Sequence, residues 1–285
     1  MVRKWIPCSA GKPKNASSSS GQAQFPAQLY DIKGAIRWLC ANSATYHLDP
    51  DRIAIMGDSS DGWTTAMAAV TGDIPALEGD VGTRGPSSTG QATVPFHSPT
   101  DFLQMDAHMP DNCTAFTAAF GLTNCHSDAR SPESGLLGCT ITACPGKVAA
   151  ANPLTYIGDQ RTPPFLILHG EQHAIVPYHQ SRLLYDKLAA AGDDVRLISF
   201  PKAEHGHAHG TSGRCTVGRG DQEVVMVRTS VGGTQWLSRR AADPSPTTSH
   251  WQSVLASGRD SRRPMGAIAR RRRHRTCNCS GSAGV

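Results

Sequence analysis

The sequence predicts an α/β fold built on a mostly parallel sheet with helices on both faces. Three observations predict it. Short apolar runs at 52–56, 164–169 and 195–200 have the length of buried strands. Stretches of helical period stand between them, and that alternation is the signature of a parallel sheet covered by helices. The chain of 285 residues is long enough for one large domain or two small ones, and no internal repeat divides it.

The elements follow in order. Residues 1–24 are rich in Ser, Gly and Lys and are expected to form a disordered arm. From Phe25 the character changes: Ile32, Ala35, Ile36, Leu39 and Cys40 recur at helical spacing, predicting a helix over about 27–46 with Cys40 a buried thiol. Asp49-Pro50-Asp51 ends that pattern, and Arg52-Ile53-Ala54-Ile55-Met56 reads as a buried strand. A tight turn over Gly57-Asp58-Ser59-Ser60-Asp61-Gly62 leads into a helix from Trp63 to Val70. Residues 72–90 read as loop. Gln91 to His97 reads as a weak strand, compromised by Pro95, which has no N–H for a ladder. Residues 98–157 have little periodicity and are expected to be an insertion. Pro164 to His169 is the strongest strand, Ser181 to Ala191 a helix, and Val195 to Phe200 another strand. Beyond 210 only Glu223 to Arg228 looks strand-like.

Charge and cysteine are unevenly placed. The net charge is +5, but residues 211–285 hold 13 Arg, no Lys and 4 acids, so 1–210 carries an acidic balance. The domain reading is therefore an arm at 1–24, a core over 25–210 with its insertion at 98–157, and an Arg-rich, largely disordered tail at 211–285. Four of the nine cysteines, Cys113, Cys125, Cys139 and Cys144, fall within the insertion. They can pair in three ways, and the sequence leaves the choice open. Two disulfides in an oxidising compartment are preferred over zinc, because no C-x-x-C occurs and the spacings 12, 14 and 5 fit no common zinc module. That points outside the cell, although the N-terminus shows no apolar signal-peptide region. No run of 18 apolar residues is present, so no membrane span is expected.

The chemistry concentrates at the turn after the first strand. A Gly-x-Ser between a buried strand and a helix is the context of a nucleophile elbow, which lifts the Ser59 hydroxyl clear of the sheet beside a helix N-terminus. His205 follows the strand at 195–200, where an imidazole can reach over the same sheet edge as general base. His207 and His209 lie close to it, and the three together form a weak metal alternative, so no metal and no cofactor are expected.

The order of these motifs resembles α/β-hydrolase serine esterases, in the branch of feruloyl-esterase-like and hormone-sensitive-lipase-like enzymes. Phe25-Pro26-Ala27-Gln28-Leu29-Tyr30-Asp31-Ile32-Lys33-Gly34-Ala35-Ile36-Arg37-Trp38-Leu39 is similar to the helix before the elbow. Asp49-Pro50-Asp51-Arg52-Ile53, Ser98-Pro99-Thr100-Asp101-Phe102, His169-Gly170-Glu171, Val176-Pro177-Tyr178-His179-Gln180-Ser181 and Glu204-His205-Gly206 follow in the expected order. The resemblance covers about 25–210. It implies that Ser59 attacks an ester carbonyl, that His205 carries the proton, that an acid orients His205, and that the N–H of Ser60 helps hold the oxyanion.

Four departures from that pattern carry expectations of their own. Asp61 stands where these esterases usually have Gly, and is expected to distort the elbow. His173 stands in the acid slot, leaving Glu171 or Asp101 as substitutes, although Asp101 also reads as a loop-capping carboxylate. The strands and His-Gly-Gly loop usual ahead of the helix at 27 are unmatched, so the sheet is expected to be N-terminally incomplete and the strand at 52–56 to lack one neighbour. The tail matches no closing helix. The functional expectation is a carboxylic-ester hydrolase for aryl or short-chain acyl esters, small or polymer-linked, with impaired turnover. The alternative is a non-catalytic or truncated relative. Arg270-Arg271-Arg272-Arg273-His274-Arg275 is a basic run without interleaved aromatics, so nucleic acid or an acidic surface ranks last as partner.

Overall fold

The computed structural model describes residues 22–201 and 203–205, and the backbone of three strands beyond them. The helices are α1 (Ala27–Ala41), α2 (Ser43–Tyr46), α3 (Ser60–Val70), α4 (Thr114–Phe120), α5 (Pro132–Leu137), α6 (Pro145–Ala150) and α7 (His179–Ala190). The strands are β1 (Ile53–Asp58), β2 (Ala92–Phe96), β3 (Phe165–Gly170), β4 (Val195–Phe200), β5 (Val225–Thr229), β6 (Gln235–Leu237) and β7 (Arg259–Asp260). They form one sheet in the order β6-β5-β1-β2-β3-β4-β7. Every pairing from β5 through β4 is parallel, and β6 and β7 close the two edges antiparallel.

The α/β reading is thus correct, with three adjustments. The helix expected over 27–46 ends at Ala41. Asn42 caps it, and α2 stops at His47, whose φ of 54° is incompatible with continuing a right-handed helix. β2 is central rather than weak. Thr93 and His97 donate across to Pro164 O and Leu168 O at 2.9 and 2.8 Å, so Pro95 costs only the one rung between them. The tail, expected to stand apart, supplies β5 on the side of β1 expected to be bare: Ile53 to Gly57 pair with Val225 to Thr229. The physical reason is that a row of unpaired backbone groups beside a β-branched run is a template for strand addition. Residues 1–21 of the arm expected at 1–24, His207, His209 and the run Arg270–Arg275 lie outside the described residues.

α1, α3 and α7 form a layer on the face bearing Ile53, Ile55, Phe165, Ile167 and Leu197. α3 sits in the middle: Trp63, Met67 and Ala68 share a core with α1 on one flank, while Ala66, Ala69 and Val70 share one with Leu184 and Leu188 of α7 on the other. Its small residues explain how it lies close to the sheet. The insertion is no separate cap, since Phe102, Met105, Leu137, Ile141, Val148 and Ala151 join the α1–α3 core, and the Trp63 indole N–H donates to Ala151 O at 2.7 Å.

Two disulfides hold the insertion, Cys113–Cys125 and Cys139–Cys144, and Cys40 is a buried thiol as expected. The first links residues 12 apart and fastens a small cluster of Met109, Phe116 and Leu122. The second spans 5. Peptide mapping of oxidatively folded, non-reduced protein should return these two cross-links, and a peptide joining the first pair to the second would refute them. Loop-closure entropy makes Cys113→Ser with Cys125→Ser cost about 3 kcal/mol and the shorter loop about 2 kcal/mol.

Candidate active site

Four neighbouring parallel strands end on one edge of the sheet, and each delivers a candidate residue there. β1 ends at Asp58, immediately before Ser59. β2 ends at Phe96, before His97. β3 ends at Gly170, before Glu171 and His173. β4 ends at Phe200, five residues before His205. Loops leaving the carboxyl ends of parallel strands are where such sheets place their chemistry.

Ser59 has φ 57° and ψ −122°, a conformation that non-glycine residues rarely adopt. Two features hold it there. Its own N–H donates to Phe96 O at 3.0 Å, tying the turn to the end of β2. Gly62 then lets the first turn of α3 lie against that strand end, since a Cβ at 62 would stand 2.6 Å from Phe96 O. With the Ser59 N–H engaged, the next N–H along the turn is that of Ser60, the exposed first residue of α3, whose amide has no acceptor within the helix. Asp61 does not break the turn: it is buried in the first turn of α3, where the helix dipole favours a carboxylate.

Gly170 does for β3 what Gly62 does for α3. A side chain there would overlap the backbone of Ala203, so the glycine lets the loops after β3 and β4 run side by side. Four imidazoles converge as a result. His173 Nε2 lies 2.9 Å from His205 Nδ1. The His97 ring centroid is 4.6 Å from that of His173 and 5.1 Å from that of His205, and the His169 centroid is 5.1 Å from that of His173. His97, His169 and His173 are buried, and His205 is exposed.

Backbone groups fix two of these rings. His169 Nε2 lies 3.0 Å from Val176 O, which only accepts, so that nitrogen carries the proton; its Nδ1 takes the Ser181 hydroxyl at 2.7 Å. His173 Nδ1 accepts from the N–H groups of Val176 and Ile175 at 2.8 and 3.3 Å. Burial pulls the His169 pKa down to about 4. Burial, then the neighbouring His169 and His97, hold His173 far below the ordinary histidine range, so both rings are neutral near pH 7.

The two substitute acids are engaged elsewhere. Glu171 accepts from the Ser199 hydroxyl at 2.7 Å. Asp101 caps a short turn, accepting from Leu103 N at 3.2 Å and Gln104 Nε2 at 2.7 Å. What meets His205 is His173. Sequence reading missed His97 and His169. The available signal was positional: both close strands adjacent to those ending at Ser59 and His205.

Nitrogens of His97, His173 and His205 lie within 4.8 Å of one another, a spacing that a metal ion could bridge. The donor set does not fit one. Ligation through His173 Nε2 requires the proton on Nδ1, and Nδ1 already faces two backbone donors. The other three-residue group among the described residues, Asp106, Cys125 and His126, has its sulfur in a disulfide. No described helix is long and apolar enough to cross a membrane.

Residues 17–188 match the model of the BD-FAE family. Esterase LipQ of Mycobacterium tuberculosis is 31% identical over 189 residues, 66% of this chain and 40% of the relative. The probable carboxylic ester hydrolase LipM of the same organism is 29% identical over 182 residues, 64% of this chain and 38% of its own length. The chain thus spans about two fifths of the curated relatives it matches. Among solved structures, a bifunctional GH43-CE of Bacteroides eggerthii aligns with a TM-score of 0.57 at 36% identity, covering 68% of this chain and 24% of that one. A truncated carbohydrate esterase from gut microbiota aligns with a TM-score of 0.56 at 32% identity, covering 66% and 64%.

Proposed function

Because the chain belongs to the BD-FAE family, with an α/β-hydrolase esterase fold, we propose that it is a serine carboxylic-ester hydrolase of low turnover. Ser59 Oγ attacks the acyl carbonyl, and the N–H of Ser60 stabilises the oxyanion, an interaction worth roughly 3–4 kcal/mol at the transition state. The proton of Ser59 passes through His205 to the departing alkoxide, the acyl–oxygen bond breaks, and water releases the acid from the acyl-enzyme. The observation that carries this reading is Ser59 itself, held at φ 57° on a strand-to-helix turn, on the same sheet edge as the His205 loop.

The substrate class is an aryl or short-chain acyl ester, small or attached to a polymer. Similarity to a carbohydrate esterase favours the polymer-linked form. The two disulfides suit an oxidising compartment. A second reading, a relative without turnover, is favoured by one observation: His173, in the acid slot, hydrogen-bonds His205.

Fluorophosphonate labelling separates the two. Slow labelling confined to the Ser59 peptide and abolished by Ser59→Ala is the expected outcome, since an oxyanion site and substrate binding alone retain about 10³–10⁴-fold catalysis over water. A folded chain that never labels at Ser59 is the non-catalytic relative.

A further inference from the structure

We propose that His173 is a positioning residue that holds His205 in the tautomer with its proton on Nε2, so that the ring presents a donor where a serine esterase needs a base. The proposal rests on the reading of Ser59 and His205 as nucleophile and base, and deepens it by naming what keeps that pair idle.

Two peptide groups set the direction of these hydrogen bonds. Backbone N–H groups only donate, so the bonds from Val176 and Ile175 require a lone pair on His173 Nδ1. A neutral imidazole has one proton, and on His173 it must therefore sit on Nε2. That nitrogen is 2.9 Å from His205 Nδ1 and donates to it. His205 Nδ1 is then the acceptor, and the one proton of neutral His205 sits on Nε2. This is the nitrogen that would have to take the proton of Ser59.

Protonation of either ring offers no escape. A cationic His173 would turn an N–H toward two N–H donors, and a cationic His205 would turn one toward the Nε2–H of His173. His169 is fixed in its own tautomer by Val176 O and Ser181, so one residue's backbone, Val176, orients two of the rings. A carboxylate at position 173 reverses the sense. One oxygen takes the two backbone N–H groups, the other accepts from His205 Nδ1–H, and Nε2 is left with its lone pair. The substitution His173→Asn keeps the shape of the carboxylate but presents an NH₂ to His205 and preserves the idle tautomer.

Imidazole ¹⁵N NMR on the full chain reads the tautomer directly, with His205→Gln identifying the signal. The expected result is His205 protonated on Nε2 in the wild type and in His173→Asn, and on Nδ1 in His173→Asp or in His173→Glu, whose longer side chain reaches as far as the imidazole. Turnover of p-nitrophenyl acetate should rise by about 10²–10⁴-fold in a carboxylate variant relative to His173→Asn, because the wrong tautomer costs about 10⁴-fold in a serine hydrolase. The gain should vanish when Ser59→Ala is added. Nδ1 protonation of His205 in the wild type overturns the proposal whether or not any variant folds. An equal gain in His173→Asn overturns it too. A tautomer that moves as described without Ser59-dependent turnover upholds it and removes the esterase reading instead.

Discussion

Glu78→Ala is expected to destabilise the protein by about 3 kcal/mol, the low end of the range for breaking a buried ion pair, since Glu78 is partly exposed. Glu78 is the shared counter-charge of two cations in α1. Its Oε1 lies 2.7 Å from Lys33 Nζ and its Oε2 2.8 Å from Arg37 Nη1, and the side chains of Lys33 and Arg37 are 0% and 5% exposed. Lys33 also donates to Thr71 O, and Arg37 to the carbonyls of Val81 and Thr83, so the three charges pin the 72–90 loop onto α1. Burial pulls the Lys33 pKa down while Glu78 pushes it back up. Without Glu78, two cations stay buried with carbonyls and, for Lys33, the more distant Asp73 to offset them. Removing two of the three charges, Lys33→Met with Glu78→Gln, should cost less than Glu78→Ala alone, because one buried cation, Arg37, rather than two is left without its carboxylate. Denaturant midpoints at constant slope measure both. A loss below about 1 kcal/mol for Glu78→Ala would show that water already reaches the pair.

The second large effect is acid sensitivity. His169 has a folded-state pKa of about 4 because burial disfavours its cation, with His205 adding to the depression and the Val176 carbonyl opposing it. In the unfolded chain it titrates near 6.5. Between those values the unfolded state holds the proton and the folded state does not, so stability is complete above about 6.5 and is lost as the pH falls toward 4. Integrated over that window, His169 alone accounts for about 3 kcal/mol. His173 acts in the same direction. Asp128 does not confuse the measurement, since backbone N–H bonds from Arg130 and Thr123 hold its carboxyl near 2, and it stays ionised throughout. Stability measured from pH 7 to 4.5 should fall steeply. His169→Gln, which can still donate to Val176 and accept from Ser181, should flatten the fall. A wild-type profile flat over that range would contradict the burial of neutral histidines here.

What could be read from the sequence was local. Ile53–Asp58, Phe165–Gly170 and Val195–Phe200 are apolar runs whose boundaries shift by no more than two residues between expectation and structure, because a buried parallel strand leaves no polar face to confuse the pattern. Ser59 and His205 were legible because each follows such a strand. The insertion was not, since its short helices, of six or seven residues, carry too few turns for a periodic pattern and are flanked by two cross-links. Nor was the partner of His205. That His173 fills the acid slot is plain from its position in the chain, but the sense of its hydrogen bond is set by the amides of Ile175 and Val176, which carry no side-chain signal. The occupation of Asp101 and Glu171 by their own neighbours was likewise a matter of loop geometry.

The strand that flanks β1 has a consequence for the order of events during synthesis. Ile53 faces Val225 in the finished sheet. At ribosomal rates of about 5–20 residues per second, the roughly 170 residues between them take some 10–30 s to appear. Throughout that interval the strand that leads into Ser59 is on the nascent chain without its β5 neighbour. The first half of the chain therefore presents a template for strand addition until Val225–Thr229 has been made.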